Sequence, residues 1–133
     1  MTRVHETEIR VRYQETDNMG VVYYANYLVW FEIARTEYFR SLGIVYRELE
    51  KKGLYLMVAE VMCRYRSPAH YDDIVRIESW IPEVKNSSLE FAYKILVGER
   101  LAATGESTHV FTDASCKPVR IPGDLKKIIS SRP

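Results

Sequence analysis

The 133-residue sequence predicts an α+β fold in which an antiparallel five-stranded sheet packs on one long helix. Five segments repeat their side-chain character every two residues, which is the period of a β-strand with one face buried. One longer segment repeats its apolar residues at helical spacing. Because the last four strands follow one another through short turns, the sheet is expected to be antiparallel.

The first predicted strand spans residues 6–13, where Thr7, Ile9 and Val11 alternate with charged side chains. This period of two is typical of a strand with one face against a core. Residues 14–20 follow as a polar turn, which joins the strand to the long helix.

The predicted long helix spans residues 24–42, and a shorter one spans residues 46–52. Asn26 is a candidate for the N-cap of the long helix, while Gly43 and Gly53 are candidates for C-terminal glycines. Apolar residues lie on more than one side of the long helix, so it is expected to be largely enclosed by its own fold. Its main apolar stripe comprises Tyr27, Trp30, Phe31, Ala34, Tyr38 and Leu42.

Four more strands and a short terminal helix complete the prediction. The first of these strands alternates strictly, which assigns its odd-numbered and even-numbered residues to opposite faces. Pro82 indicates a bulge or an edge in the second, since proline cannot donate to a ladder. One helix covers only one face of this sheet, so the other face is expected to contact a partner subunit in a homodimer or larger assembly. The strands cover residues 55–66, 74–84, 89–97 and 101–112, and the helix covers 123–130.

The composition is typical of one soluble globular domain over residues 1–133. The formal net charge of +1 argues against a general attraction to nucleic acid or to membranes. The N-terminus has no apolar signal segment, and no apolar run is long enough to span a bilayer. Cys63 and Cys116 are expected to be free thiols, so a cytoplasmic location is predicted.

Several standard catalytic motifs are absent from the sequence. It has no G-x-S-x-G elbow, no phosphate-binding loop, no dinucleotide fingerprint and no C-x-x-C pair. The spacing of His5, His70 and His109 does not match a metal site, so no metal is expected. His109, on the same face as Phe111, is interpreted as a packed core histidine.

Asp17 is the candidate catalytic residue, because it lies in the polar turn just before the long helix. Aspartate in such a turn commonly makes an Asx turn or caps the helix, and this structural alternative stays open. Gly20 would permit close approach of a ligand to the backbone. The helix start supplies unpaired N–H groups and positive potential, which polarise a carbonyl. The aromatic and apolar side chains flanking the turn, which would line a ligand site, are Tyr13, Val22, Tyr23, Tyr24 and Tyr27.

Residues around this turn resemble the signature of a known family, the hotdog-fold acyl-CoA thioesterases of the 4-hydroxybenzoyl-CoA thioesterase and YbgC type. The similarity extends over nearly the whole chain, but only the part around Asp17 is fairly specific. The matching segments are Thr16-Asp17, Gly20-Val21-Val22-Tyr23, Asn26-Tyr27, Glu32, Ala34-Arg35-Thr36-Glu37, Tyr65, Pro68-Ala69, Asp73 and Pro118-Val119-Arg120-Ile121-Pro122.

The resemblance implies a hotdog fold, with the sheet wrapped around the long helix in the strand order 1-3-4-5-2. It implies dimers that often associate as tetramers, with the active site at the dimer interface. Coenzyme A would be part of the substrate, without a separate cofactor. Asp17 would be the catalytic aspartate, and the backbone at Tyr24 would polarise the thioester carbonyl. The turn formed by Asn86, Ser87 and Ser88 would contact the pantetheine or the nucleotide.

The chain departs from the family at Tyr24, where many YbgC-type members carry histidine, and this affects the expected substrate preference more than the reaction class. Asp17 would act as general base or as nucleophile, and both routes stay open. The identity of the acyl group, and the choice between coenzyme A and acyl-carrier protein, also stay open. Two alternatives remain: a non-catalytic acyl-CoA or acyl-carrier binding module, and a hotdog enoyl-CoA hydratase, although the latter would need a histidine near the helix start.

Overall fold

The structure is a computed structural model and describes residues 3–130. One antiparallel sheet and one long helix organise this part of the chain. The elements are β1 (His5–Arg10), α1 (Asn26–Ser41), α2 (Tyr46–Lys51), β2 (Tyr55–Tyr65), β3 (Ile74–Val84), β4 (Ser88–Val97), β5 (Arg100–Thr112) and α3 (Gly123–Ser130). The strands lie in the order β1-β3-β4-β5-β2, and each neighbouring pair is antiparallel. The predicted hotdog fold and its strand order are confirmed.

The core lies between α1 and one face of the sheet, here called the inner face. Trp30, Phe31 and Ala34 of α1 are fully buried there, as the predicted stripe requires. The ring of Phe31 stacks on that of Tyr93 in β4, with their centroids 4.1 Å apart. A Cβ at Gly105 in β5 would clash with the ring of Phe31, so this glycine permits the close approach of helix and sheet. Each large apolar side chain buried here stabilises the fold by about 1.5–3 kcal/mol.

The helix ends follow local rules, with one exception. α1 and α2 are each followed by a left-handed glycine, Gly43 with φ +82° and Gly53 with φ +79°, as predicted. The predicted N-cap is wrong, because Asn26 is the first helical residue and Ala25 occupies the cap position. The side-chain amide of Asn26 instead donates to the carbonyl of Glu15, 2.8 Å away, and so holds the preceding turn.

The strand boundaries agree with the prediction apart from the first strand. β1 stops at Arg10 and does not continue to Tyr13 as predicted, and one turn of 3-10 helix, Tyr13–Glu15, begins at that residue and extends into the predicted turn. The bulge predicted at Pro82 is confirmed, since the register between β3 and β4 shifts between Trp80 and Glu83. None of the helices within residues 3–130 is both long and apolar enough to cross a membrane.

β2 departs from strict alternation at a bulge. Its register with β5 shifts between Val58 and Glu60, which leaves one extra residue on β2. Val58 pairs with His109 before the bulge, and Val61 pairs with Ser107 after it, all on the inner face. The prediction that even-numbered and odd-numbered residues of this strand keep to opposite faces is therefore wrong, because the bulge exchanges the faces halfway.

The outer face of the sheet, away from α1, is polar. The guanidinium of Arg76 lies 2.6 Å from the carboxylate of Glu6 and 4.0 Å from that of Glu78. Such a face can lie against water, so it gives no reason to expect a partner there. Its charged and hydroxyl side chains include Glu6, Glu8, Arg76, Glu78, Glu90, Lys94, Thr104, Glu106 and Thr108.

Exposed apolar side chains are found instead on β2 and on α1. β2 is an edge strand, with one side of its backbone unpaired within the described chain. The expectation that α1 is enclosed by its own fold is wrong for a single chain, because part of its apolar surface faces outward. The exposed apolar residues of the two elements are Leu28, Val29, Ile33, Met57, Val58, Val61, Met62 and Tyr65.

Candidate active site

The turn before α1 is closed by backbone hydrogen bonds. The N–H of Asp17 donates to the carbonyl of Val21 (2.8 Å), and the N–H of Gly20 donates to the carbonyl of Asp17 (3.1 Å). The N–H of Val22 donates to the carbonyl of Ala69 (2.9 Å) and so anchors the turn to the loop before β3. Gly20 has φ +80°, a left-handed conformation that favours glycine. Gly20 is thus explained by the turn itself, and ligand access remains its predicted second role.

The side chain of Asp17 is partly exposed and makes an Asx turn. Its Oδ1 accepts a hydrogen bond from the N–H of Met19 (2.8 Å), which is the structural alternative that the sequence left open. Oδ2 accepts no hydrogen bond from the residues that the structure describes. One oxygen therefore orients the carboxylate, while the other is available to a water molecule or a substrate.

The start of α1 presents backbone donors. The N–H groups of Asn26, Tyr27 and Leu28 each donate to the carbonyl three residues earlier. Among the described residues, no acceptor receives the N–H groups of Tyr24 and Ala25. The positive end of the helix dipole lies at the same place. These two N–H groups are candidate donors to the oxygen of a bound carbonyl.

Glu15 holds the turn against α1, and the sequence analysis did not single it out. Its side chain is only 5% exposed, with Oε2 accepting from the indole N–H of Trp30 (3.0 Å) and Oε1 from the N–H of Arg12 (2.7 Å). Its backbone carbonyl accepts from the N–H of Tyr23 (2.8 Å) and from the amide of Asn26 (2.8 Å). A buried indole N–H needs an acceptor, so Trp30 in the helix stripe was the signal that could have identified this carboxylate.

Tyrosines form an exposed aromatic surface beside the turn. Tyr24 is 62% exposed, and its ring lies 4.7 Å from that of Tyr23, centroid to centroid. The hydroxyl of Tyr65 in β2 donates to the carbonyl of Tyr24 (2.8 Å). Desolvation and the neighbouring Cys63 thiol raise the pKa of Tyr65, so its phenol stays protonated and keeps donating. Tyr65 thus joins the edge strand to the start of α1.

Three residues predicted to line a ligand site are placed differently from one another. Tyr13 is 77% exposed and contacts Tyr71 edge-on, with centroids 5.7 Å apart. Val22 and Tyr27 are buried, and the hydroxyl of Tyr27 accepts from the N–H of Ala69 (3.3 Å). Tyr27, at 3% exposed, belongs to the core beneath the turn. The structure therefore places Tyr13 at the surface of the site, and Val22 and Tyr27 in its floor.

The turn of Asn86, Ser87 and Ser88 lies at the opposite end of the sheet from Asp17. The Asp17 turn adjoins the start of β3, whereas residues 86–88 follow the end of that strand. At about 3.3 Å per residue, the length of β3 separates the two turns by roughly 30 Å. Within one chain, the structure therefore does not bring this turn to Asp17.

Comparison with known proteins agrees with this fold. Residues 11–129 match the thioesterase-like superfamily. The chain is 39% identical over 120 residues to the putative acyl-CoA thioesterase YneP of Bacillus subtilis, a match that covers 88% of this chain and 86% of that protein. It is 33% identical to the acyl-CoA thioesterase YbgC of Haemophilus influenzae, covering 89% of this chain and 88% of that protein. The crystal structure of a DHNA-CoA thioesterase from Staphylococcus aureus superposes with a TM-score of 0.91 at 32% identity, covering 96% of this chain and 89% of that one.

Proposed function

This chain belongs to the thioesterase-like superfamily and is a thioester hydrolase, and we propose that it hydrolyses the thioester of a short-chain or aromatic acyl-CoA to the free acid and CoA. One observation carries the proposal. A carboxylate with an unpaired oxygen, on Asp17, lies in the turn that leads directly to the unpaired N–H groups of Tyr24 and Ala25. Coenzyme A enters this reaction as part of the substrate.

The backbone N–H groups act on the thioester carbonyl. Negative charge builds on that oxygen as the carbonyl carbon becomes tetrahedral. Donors that are already in place stabilise this charge by roughly 3 kcal/mol each in comparable sites. The N–H of Tyr24, supported by the dipole of α1, is the proposed principal donor. The bond from Tyr65 to the carbonyl of Tyr24 helps to hold the next peptide, which carries the N–H of Ala25.

Asp17 promotes hydrolysis of the thioester by one of two routes. As general base, its Oδ2 takes a proton from water while the water oxygen bonds to the carbonyl carbon; the C–S bond then breaks and coenzyme A leaves as the protonated thiol. As nucleophile, Oδ2 bonds to that carbon and expels the thiolate, which leaves a mixed anhydride that water hydrolyses. The Asx turn orients the carboxylate in both routes.

The exposed tyrosines support an aromatic acyl group as one substrate class. The rings of Tyr13, Tyr23 and Tyr24 are partly or largely exposed near the turn. Aromatic faces pack well on one another in offset or edge-on contacts. An aryl group held there would lie beside the polarising N–H groups of α1.

We further propose that the working unit is a homodimer, or a tetramer of such dimers, in which the β2 edges pair. A long, apolar, unpaired edge is a liability for an isolated chain, and pairing with a second copy removes it. Val58, Val61 and Tyr65 are the exposed apolar side chains that such pairing would cover on the inner face.

The geometry of such a dimer completes the site. Two β2 strands related by a twofold axis run antiparallel, so the Tyr65 end of one meets the Tyr55 end of the other. The Tyr55 end pairs with Thr112, at the end of the sheet where β4 begins with Ser88. The turn of Asn86, Ser87 and Ser88 in each copy would therefore approach the Asp17 end of the other, where it could contact the coenzyme A moiety.

The test is a panel of short acyl-CoA and aryl-CoA thioesters, followed by release of the free thiol. We expect Asp17→Asn to lower kcat by about 10²- to 10⁴-fold, because it removes the basic or nucleophilic oxygen. Asp113→Asn is the matched control, since Oδ1 of Asp113 also accepts backbone N–H groups in a turn, from Ser115 and Lys117. It should retain activity.

Comparable turnover by Asp17→Asn and the unmodified protein would refute the role of Asp17. If the unmodified protein released no thiol from any member of the panel yet bound acyl-CoA, the non-catalytic binding module would replace the proposed hydrolase. Parallel assays with acyl-carrier-protein thioesters decide which carrier is preferred.

A further inference from the structure

A cavity of about 270 Å³ lies between α1, α2 and the first half of β2. It is separate from the Asp17 turn, which adjoins the other end of α1. At 1.5 Å rise per residue, Arg35 lies about 14 Å along α1 from its first residue, Asn26. The residues that line this cavity include Arg35, Leu49, Leu54, Leu56, Val58 and His109.

Among the residues that the structure describes, Arg35 is the only cation lining the cavity, and it is 9% exposed. Its Nη1 donates to the hydroxyl of Tyr93 (3.1 Å). Within residues 3–130, no carboxylate oxygen lies within the 4.0 Å that defines an ion pair with it. A guanidinium keeps its charge inside a protein, and a buried charge is costly without an opposite charge. Arg35 thus has no ion-pair partner among these residues.

The polar groups beneath Arg35 do not supply the missing negative charge. Since arginine only donates, the hydroxyl of Tyr93 accepts from Arg35, and it also shares a hydrogen bond with Oγ of Ser107 (2.5 Å). Oγ of Ser107 shares a further hydrogen bond with Nε2 of His109 (2.6 Å). Burial and the charge of Arg35 lower the pKa of His109 to about 3, so the ring is neutral at pH 7. The side chains of Tyr93, Ser107 and His109 are therefore all neutral. Their hydrogen bonds join them to one another and to Arg35.

We propose that this cavity binds a carboxylate carried on a short apolar stem. The carboxylate would pair with the remaining N–H groups of Arg35, whose planar fork suits two carboxylate oxygens. The stem would lie against the leucines of α2 and β2 that form the apolar wall, Leu49 and Leu56 among them. The ligand would supply the carboxylate at ion-pair distance from Arg35 that no described residue supplies.

The rim of the cavity restricts the class of anion. Glu32 and Glu50 also line the cavity, and both are exposed. Their charges are screened by solvent, so they oppose a single buried carboxylate weakly and a phosphate dianion more strongly. The volume is slightly below the range of about 300–1,000 Å³ usual for small-molecule sites. A monocarboxylate of a few carbons therefore fits better than phosphate or a large acid.

Two sources could supply such a group. One is a free short-chain carboxylic acid, which is also the chemical class of product expected from thioester hydrolysis. The other is the far carboxylate of an acyl-CoA made from a long-chain dicarboxylic acid, whose chain would span the roughly 14 Å between Arg35 and the start of α1 so that its thioester lies at the catalytic turn. The second source rests on the proposed function, whereas binding of the free acid does not.

In the test, the 133-residue protein is titrated with hexanoate while the NMR resonances of the Arg35 Nε–H group and the His109 ring are followed. We expect both to shift with saturation, and affinity to rise by about fourfold for each CH2 added from acetate to hexanoate. Hexanol, the neutral matched probe, and inorganic phosphate should leave both resonances in place.

Variants distinguish ligand binding in the cavity from catalysis at the Asp17 turn. Arg35→Met keeps the apolar stem and should weaken hexanoate binding by about 10- to 100-fold. Arg47→Met, on the exposed side of α2, is the matched control and should bind normally. Leu49→Phe narrows the cavity without changing its charge, so it should also weaken hexanoate binding. It tests the cavity even if Arg35→Met fails to fold. Asp17→Asn should bind hexanoate as the unmodified protein does.

A dicarboxylic half-thioester of CoA, compared with a monocarboxylic acyl-CoA of equal length, separates the two sources. If Arg35→Met raises KM for the dicarboxylic substrate and leaves KM for the monocarboxylic substrate unchanged, the cavity binds the dicarboxylic substrate. If Arg35→Met loses hexanoate binding while the ratio of the two KM values stays the same, the cavity binds the free acid. Hexanoate binding that is absent, or equal in Arg35→Met and the unmodified protein, would overturn the proposal. A protein that binds hexanoate through Arg35 but hydrolyses no thioester would refute the proposed function alone.

Discussion

Glu15 shows how much one buried side chain can organise around the turn of Asp17. Each of its carboxylate oxygens accepts from a different donor, the partly buried N–H of Arg12 on one side and the buried indole N–H of Trp30 on the other. Its carbonyl binds two further donors at the start of α1. Because hydrogen bonds to charged groups are stronger than neutral ones, this residue fixes the turn of Asp17 relative to the helix start.

We expect Glu15→Gln to destabilise the protein by about 1–3 kcal/mol, because the new NH2 group faces a buried donor and leaves it unpaired. Urea unfolding measures this loss. The activity of the folded variant should fall through kcat more than through KM, since the turn is mispositioned and no binding group is removed. Trp30→Phe is the companion variant. If the losses from the two substitutions were simply additive in the double variant, the coupling between the two side chains would be refuted.

His109 makes stability depend on pH. Its folded pKa is about 3, whereas its ordinary value is 6.5. The unfolded chain therefore binds more protons between these values, so the stabilisation is complete above about pH 6.5 and is lost as pH falls toward 3. From pH 7 to pH 4 the expected loss is roughly 3 kcal/mol.

Urea unfolding of the protein and of His109→Gln across that range measures this effect. The glutamine variant keeps an acceptor for Ser107 but does not titrate, so its stability should change less with pH. His70→Gln, at an exposed histidine, should retain the original pH dependence. Equal pH slopes for all three proteins would show that His109 does not titrate as described.

For the helices and strands, the sequence predicted correctly the features that depend on the local spacing of apolar residues and prolines. The stripe of Trp30, Phe31 and Ala34 identified the buried side of α1, and Pro82 identified a bulge. The bulge before Glu60 was missed, because residues 55–59 are apolar on both faces, so the polar side chains of Glu60 and Arg64 after the bulge do not reveal that the face has changed. Glu15 was missed for another reason: its partner Trp30 is 15 residues away, and no local pattern joins a turn carboxylate to a helix indole.

The contact between α1 and β5 gives a prediction about packing. Gly105→Ala should destabilise the protein by about 1–3 kcal/mol, because the new methyl group would clash with the ring of Phe31 and with the backbone of Met62. Thermal or urea unfolding measures the loss. Gly123→Ala is the matched control, since nothing lies within 4 Å of a Cβ there. Phe31→Leu in the Gly105→Ala background should recover part of the stability, and a tolerated Gly105→Ala would contradict the close packing.

For the molecule as a whole, the important feature is the β2 edge, whose backbone has no pairing partner on one side among the described residues. We expect the protein to sediment as a dimer or larger at micromolar concentration, and Val61→Lys on β2 to shift it toward the monomer, because a charge on an edge opposes pairing. Glu8→Lys on β1, the opposite edge of the sheet, should not change the sedimentation. A monomeric unmodified protein would refute the proposed pairing, and an active Val61→Lys monomer would refute the shared site.

The separation of the two turns by the length of β3 has a genetic consequence. If each site takes Asp17 from one copy and the turn of residues 86–88 from the other, inactivating substitutions divide into two groups that complement each other. A mixed dimer of one member from each group places both lesions in the same site and leaves the second site intact. Two inactive alleles expressed together would then recover about a quarter of full activity if copies mix at random.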